Sequence, residues 1–198
     1  MPIRQFLLSL FLLLTTATAT ATATNDTIPP ARKWITAGAI TTLGTTSLII
    51  LNKAWYADYP QSSFHTFNDN PEWLQMDKVG HMLTAYHIGQ FGHYTFRRSG
   101  LKEKPALWIG GTLGTVYLSM VEMLDGYSSA WGFSWGDFGA NVGGSLLYIG
   151  QEACWKEQRI TPKFSAHLTE FAQHRPEVLG AVPAERILKD YNGQTYWL

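Results

Sequence analysis

The chain is 198 residues long, with 15 Lys and Arg against 15 Asp and Glu, a formal net charge of zero and a single cysteine. Balanced charge excludes a global field that would recruit nucleic acid, and the length bounds one domain of ordinary size. One cysteine, Cys154, excludes an internal disulfide framework and a multi-cysteine metal site.

The N-terminus pairs Arg4 with a mostly apolar run at residues 6–14 and a small-residue tail, "TTATATATAT". That run is too short to cross about 30 Å of hydrocarbon, so residues 1–23 are expected to be an export signal peptide, cut near Ala21 or Ala23. No cysteine lies near the cut, so no lipoprotein anchor is expected. The mature chain divides into a helical domain, 24–160, and a polar C-terminal extension, 161–198.

Residues 35–51 carry no charge and read as a weakly apolar helix. A loop, "YADYPQSSFHTFNDN", follows, and Asn70 is the expected N-cap of the next helix, with Pro71 and Glu72 in its first turn. That helix runs to the basic turn "RRSGLKEK". Pro105 opens a third helix that ends at Gly126 as C-cap, and Ser134 opens a fourth that runs to Gln151. Beyond Pro162 the pattern is amphipathic, and Asn192 and Gly193 mark a turn before "QTYWL", a strand-like run expected to pair with a partner or to lead into further chain. The predicted fold is all-α: a compact bundle of about four weakly apolar, Gly-rich helices plus a C-terminal helical extension.

Uncharged stretches of about 14 to 18 residues sit at or below the lower limit for a membrane span. Gly110 with Gly114, and Gly139 with Gly143, allow close helix contact in lipid or in a soluble bundle. Lys and Arg alternate between connections in a positive-inside pattern that puts the N-terminus in the cytoplasm, which conflicts with a cleaved signal. A periplasmic or cell-envelope location is therefore expected, with an inner-membrane multispanning protein as the alternative.

The polar residues fall into pairs that share a helix face. Asp77 and His81 are i, i+4, Glu122 and Asp125 are i, i+3, and Asp137 and Asn141 are i, i+4. All lie where apolar helices begin or end, so the pairs can converge at one end of the bundle. Carboxylates with one imidazole suit a hard or borderline cation, or a general acid and base. Catalytic candidates are Asp77, His81, Glu122, Asp125 and Asp137, metal candidates are His81, Glu122 and Asp137, and Ser134, Trp135 and Asn141 are binding candidates. Structural roles compete at each position. Ser134 and Asp137 form an S-x-x-D cap, Asp77 pairs with Lys78 or Arg97 or orients His81, Asn141 bridges helices, and a buried Glu122 requires a partner. His81, His87 and His93 recur at a spacing that scatters them around a helix. No GxSxG, HExxH, Walker or Rossmann string is present.

"DKVGH" at 77–81, "EMLDG" at 122–126 and "GFSWGDFGANVGG" at 132–144 resemble, in that order, the YfiM-like family of predicted periplasmic lipoproteins. More distantly the chain is similar to the VanZ-like membrane proteins, which share the Asp-Lys-x-x-His, a Glu and a later Asp-x-x-x-Asn. The resemblance implies no reaction. It departs from this chain in the missing lipobox cysteine and in the extra segment 152–198. The expectation is an exported cell-envelope protein with a structural or partner- or membrane-binding role, organised by an acidic and His junction. The alternative is a metal-dependent or acid/base enzyme acting on an envelope lipid or glycan. No cofactor is expected on the first reading, and a divalent cation on the second; the expected partners are the envelope membrane or another envelope protein.

Overall fold

The computed structural model describes residues 29–57 and 59–198; the expected export signal, 1–23, lies outside the described residues. Helix α1, Ala31–Leu51, continues through a π-helical turn, Asn52–Tyr56. Then come α2, Met76–Arg98, α3, Glu103–Gly111, α4, Leu113–Gly126, and α5, Trp135–Trp155. The described chain is mostly helical, as the pattern predicts.

Helix α2 is central and packs against α3, α4 and α5. The crossings are close because backbone meets backbone. A Cβ on Gly114 would strike Ala85 of α2, and one on Gly144 would strike the Met82 carbonyl. Gly139 and Gly143, also expected at a helix contact, face open space. Hydroxyls supply the rest of the α4–α5 contact: Thr115 Oγ1 donates to the Asn141 carbonyl at 3.0 Å and to Ser145 Oγ at 2.9 Å. The apolar core proper is small, made of Tyr86, Leu107, Tyr148 and Ile149.

Two helix boundaries differ from expectation. Asn70 does not cap α2; its side chain donates to Asn68 Oδ1 at 2.8 Å. Trp73, Leu74 and Gln75 instead take left-handed φ of 50°, 51° and 60°, so the helix starts only at Met76. Each such residue costs about 1–3 kcal/mol and persists only where its surroundings hold it. Here the holding contacts are Trp73 against Tyr191, centroids 5.8 Å apart, and the ties of Asp69 on the loop just before. The helix expected from Pro105 to Gly126 is interrupted at Thr112, whose hydroxyl donates to the Trp108 carbonyl at 2.8 Å and competes with the helix ladder. Ser134 caps α5 as predicted, accepting the Asp137 N–H at 3.1 Å.

The extension folds onto its own chain. Strand β1, Lys163–Ala166, pairs antiparallel with β2, Gln194–Trp197, in the register Phe164 to Tyr196. "QTYWL" thus finds a strand partner inside the chain, at Lys163–Ala166. Three short helices, α6, Phe171–His174, α7, Pro176–Leu179, and α8, Pro183–Lys189, join the strands. His87 Nε2 bonds the Pro162 carbonyl at 2.9 Å, and Tyr196 Oη sits against Gly80, so the extension packs beside the start of α2.

Helix α1 stands apart from this core. None of its residues is buried. Its ties are Ser47 to Tyr117 Oη at 3.0 Å and, from its π-turn, Tyr56 Oη donating to Asp125 at 2.8 Å.

Neighbouring glycines separate close packing from helix propensity. Gly144→Ala is expected to destabilise by roughly 1–3 kcal/mol through overpacking. Gly143→Ala, in open space, is expected to stabilise by about 0.5–1 kcal/mol. Urea unfolding of the two variants reads the difference, and equal effects would contradict the close crossing.

Candidate functional site

Three segments distant in sequence build one polar junction at the end of the bundle. The loop before α2 brings Asp69, the first turns of α2 bring Asp77, Lys78 and His81, α4 brings Glu122, and the start of α5 brings Ser134, Asp137 and Asn141. Lys78 is its hub. Its Nζ lies 2.9 Å from Asp69, 3.4 Å from Asp77 and 3.3 Å from Asp137, with the side chain only 10% exposed. Ser134 connects both carboxylate layers: its hydroxyl donates to Asp69 at 2.7 Å while its N–H donates to Glu122 Oε2 at 3.1 Å. His81 Nδ1 donates to Asn141 Oδ1 at 3.0 Å and lies 3.7 Å from Glu122 Oε1.

Burial dominates the electrostatics. It pushes Glu122, 2% exposed, up to about 8, with the like charges of Asp125 and Asp137 adding to the effect and the Ser134 N–H opposing it. Burial likewise raises Asp137 to about 7, aided by its hydrogen bond to Asp69. Asp69 moves the other way, to about 2: burial opposes this, but hydrogen bonds with Asp137, Lys78 and Ser134 outweigh it. Asp69 and Asp137 thus divide their charge unequally, the more exposed member remaining ionised. Burial lowers the His81 imidazole below its ordinary value, against the hydrogen bond to Asn141. The Lys78 ammonium rises, its carboxylate neighbours outweighing burial.

The predicted residues separate into two groups. Asp77, His81, Glu122, Ser134, Asp137 and Asn141 meet at the junction. His81, Glu122 and Asp137 each bring one ligand atom within 4.8 Å of the other two, and Asp69, Asp77 and Asp137 form a second such group. Asp77 bonds to Lys78 and not to His81, whose partner is Asn141. Asp125 lies to one side, tied to Tyr56. Trp135 is 68% exposed and stacks on Phe133 and Phe138 instead of facing the junction. Sequence reasoning missed Asp69, which sits in a loop that reads only as a turn, and Tyr56, which carries no local signal. Lys78 was visible as a lone cation in the first turn of an otherwise little-charged helix.

Two surface clefts occur elsewhere. One of about 150 Å³ lies beside Tyr56, Tyr59, Leu124 and Tyr127, and one of about 500 Å³ beside Tyr94, Arg98 and Leu101. Neither is lined by His81, Glu122 or Asp137. The junction's side chains are packed between helices, outside both cleft linings.

Replacing the hub should be costly. Lys78→Met is expected to destabilise by about 3 kcal/mol or more in urea unfolding, because Asp69 and Asp137 lose their buried counter-ion. Lys102→Met, on an exposed residue, should change little. Asp125 supplies a pH test. Burial raises its carboxyl from 3.8 to about 7, against the Tyr56 hydrogen bond, with Asp69 contributing repulsion. The folded chain keeps this proton where the unfolded chain has lost it, so stability falls as pH rises from about 4 to about 7. Asp125→Asn should flatten that fall by roughly 1–3 kcal/mol in unfolding measured at pH 5 and pH 8.

Comparison with curated proteins and with solved structures returns no match. Residues 65–149 match the family described as "Predicted periplasmic lipoprotein (DUF2279)". The matched segment starts in the loop that carries Asp69 and ends within α5, so it contains every residue of the junction and leaves out α1 and the C-terminal extension. Over its helical core, residues 65–149, the chain is similar to this family of predicted periplasmic lipoproteins, an envelope family by its description.

Proposed function

We propose that the protein is an exported cell-envelope protein held at a bilayer by α1, with the junction serving to fix the helical domain that it carries there. One observation carries this reading: α1 is a 21-residue helix with no buried residue, and it is uncharged from Trp34 to Leu51. At 1.5 Å per residue that uncharged stretch is about 27 Å long, close to the hydrocarbon thickness of about 30 Å. Trp34, Ile35, Leu43 and Ile49 are 80%, 70%, 41% and 52% exposed. Water would be a poor solvent for this surface.

The ends of the helix support the same reading. Arg32, Lys33 and Trp34 precede its apolar stretch, and Lys53, Trp55 and Tyr56 follow it, an arrangement of basic and aromatic residues suited to the two interfaces of a membrane. On α4, Val116, Met120 and Met123 leave an apolar stripe exposed at i, i+4 and i+7 beside Tyr117, the residue that receives α1. The helix pair α3 and α4 is also apolar and long, but a third of it is buried against the core, which fits a core element.

Leu43→Lys with Ile49→Lys tests the proposal without touching the core. Each lysine is expected to cost about 2.5–3.5 kcal/mol inside a bilayer. The wild-type protein should remain with membranes after alkaline extraction, and the double variant should appear in the soluble fraction with an unchanged circular dichroism spectrum. A wild-type protein found in the soluble fraction would overturn the reading.

A further inference from the structure

We propose that His81, Glu122 and Asp137, joined by Asn141, form a site for one first-row divalent cation of the Zn²⁺ or Mn²⁺ kind. This goes beyond membrane attachment and rests on different residues.

The first observation is the spacing. Ligand atoms about 2.1 Å from one ion stand roughly 3.0–3.4 Å from each other in octahedral or tetrahedral arrangement. His81 Nδ1 lies 3.0 Å from Asn141 Oδ1 and 3.7 Å from Glu122 Oε1, and a carboxylate oxygen of Asp137 lies within 4.8 Å of the other two ligand atoms. Three elements, α2, α4 and α5, therefore converge on one point from separate directions.

The second observation brings in a residue outside the acidic cluster, Asn141. Asn141 is 0% exposed, yet its Nδ2 has no hydrogen-bond partner, and Asp137, 5% exposed, has none for Oδ1. Lys78 reaches Asp137 Oδ1 at ion-pair distance, 3.3 Å, without hydrogen-bond geometry. An unsatisfied buried polar atom costs about 1–3 kcal/mol, and two such atoms on residues one helical turn apart, both belonging to side chains that reach His81, mark a place where a ligand completes the bonding. Asn141 Oδ1, already 3.0 Å from His81 Nδ1, is the amide atom that faces the ion.

The third is chemical class. One imidazole with oxygen donors and no thiolate suits a borderline cation better than a soft one. Lys78 does not fill this role, because its Nζ is committed most closely to Asp69. On binding, His81 carries its ring proton on Nε2 and gives Nδ1 to the ion, and any proton on Glu122 or Asp137 goes to solvent.

The test uses the untagged full chain after dialysis against chelator, titrated calorimetrically with ZnCl₂ and separately with MnCl₂. One equivalent should bind at least one of them and raise the thermal unfolding midpoint. His81→Gln should weaken binding by about 100-fold or more, beyond the 10–100-fold typical of losing an outer partner. His167→Gln, on an exposed residue of the extension, should leave it unchanged. Should His81→Gln fail to fold, X-ray absorption at the zinc edge of the wild-type complex should count a single imidazole among oxygen ligands. The proposal fails if the wild-type chain binds neither ion up to millimolar concentration, if folded His81→Gln binds as the wild type does, or if the spectrum counts two or more imidazoles.

Discussion

A single buried ammonium organises this molecule. Lys78 gathers Asp69 from a loop, Asp77 from its own helix and Asp137 from α5, and so joins segments that span much of the family-matched core. Ion pairs of this kind add little net stability relative to an apolar core, but they fix which groups must meet. The left-handed turn before α2 follows from that requirement: the chain has to bend sharply between Asp69 and Met76 for the loop carboxylate to reach back to Lys78.

The same constraint explains the distribution of charge. Burial pushes the more deeply buried Glu122 and Asp137 up to about 8 and about 7, while hydrogen bonds from its neighbours hold Asp69 at about 2. Ser134 conveys this asymmetry between the layers, since its hydroxyl faces the ionised Asp69 and its amide faces Glu122. A helix cap is thereby also a wire between two carboxylates.

Much of this was legible in the sequence, and the exceptions have physical causes. The helices appeared through uncharged runs, and the junction appeared because polar pairs stood at their ends. The cap at Ser134 was readable because it is local. Asp69 was not, because a loop residue reveals its role only through a partner distant in the chain. The start of α2 was misplaced because Asn70, Pro71 and Glu72 make a good local helix start that tertiary contacts at Asp69 and Trp73 override. The destination of "QTYWL" was hidden for a similar reason: strand pairing is a property of two segments, and its partner at Lys163–Ala166 has no strong strand pattern of its own. Trp135 looked like a contact residue because it sits inside the richest motif, but helix phase turns it outward.

The way α4 meets α5 has a thermal consequence. Where Thr115, Ser145 and the Asn141 carbonyl meet, the helices are joined by hydroxyls and bare backbone. Exposure of apolar surface raises the heat capacity of an unfolding chain and exposure of polar surface lowers it. Contacts assembled this way add less to the heat-capacity increment of unfolding than apolar contacts of equal area would. The stability curve is flattened to that extent, so that cooling and warming shift the folded population less than they would if leucines filled the same crossing.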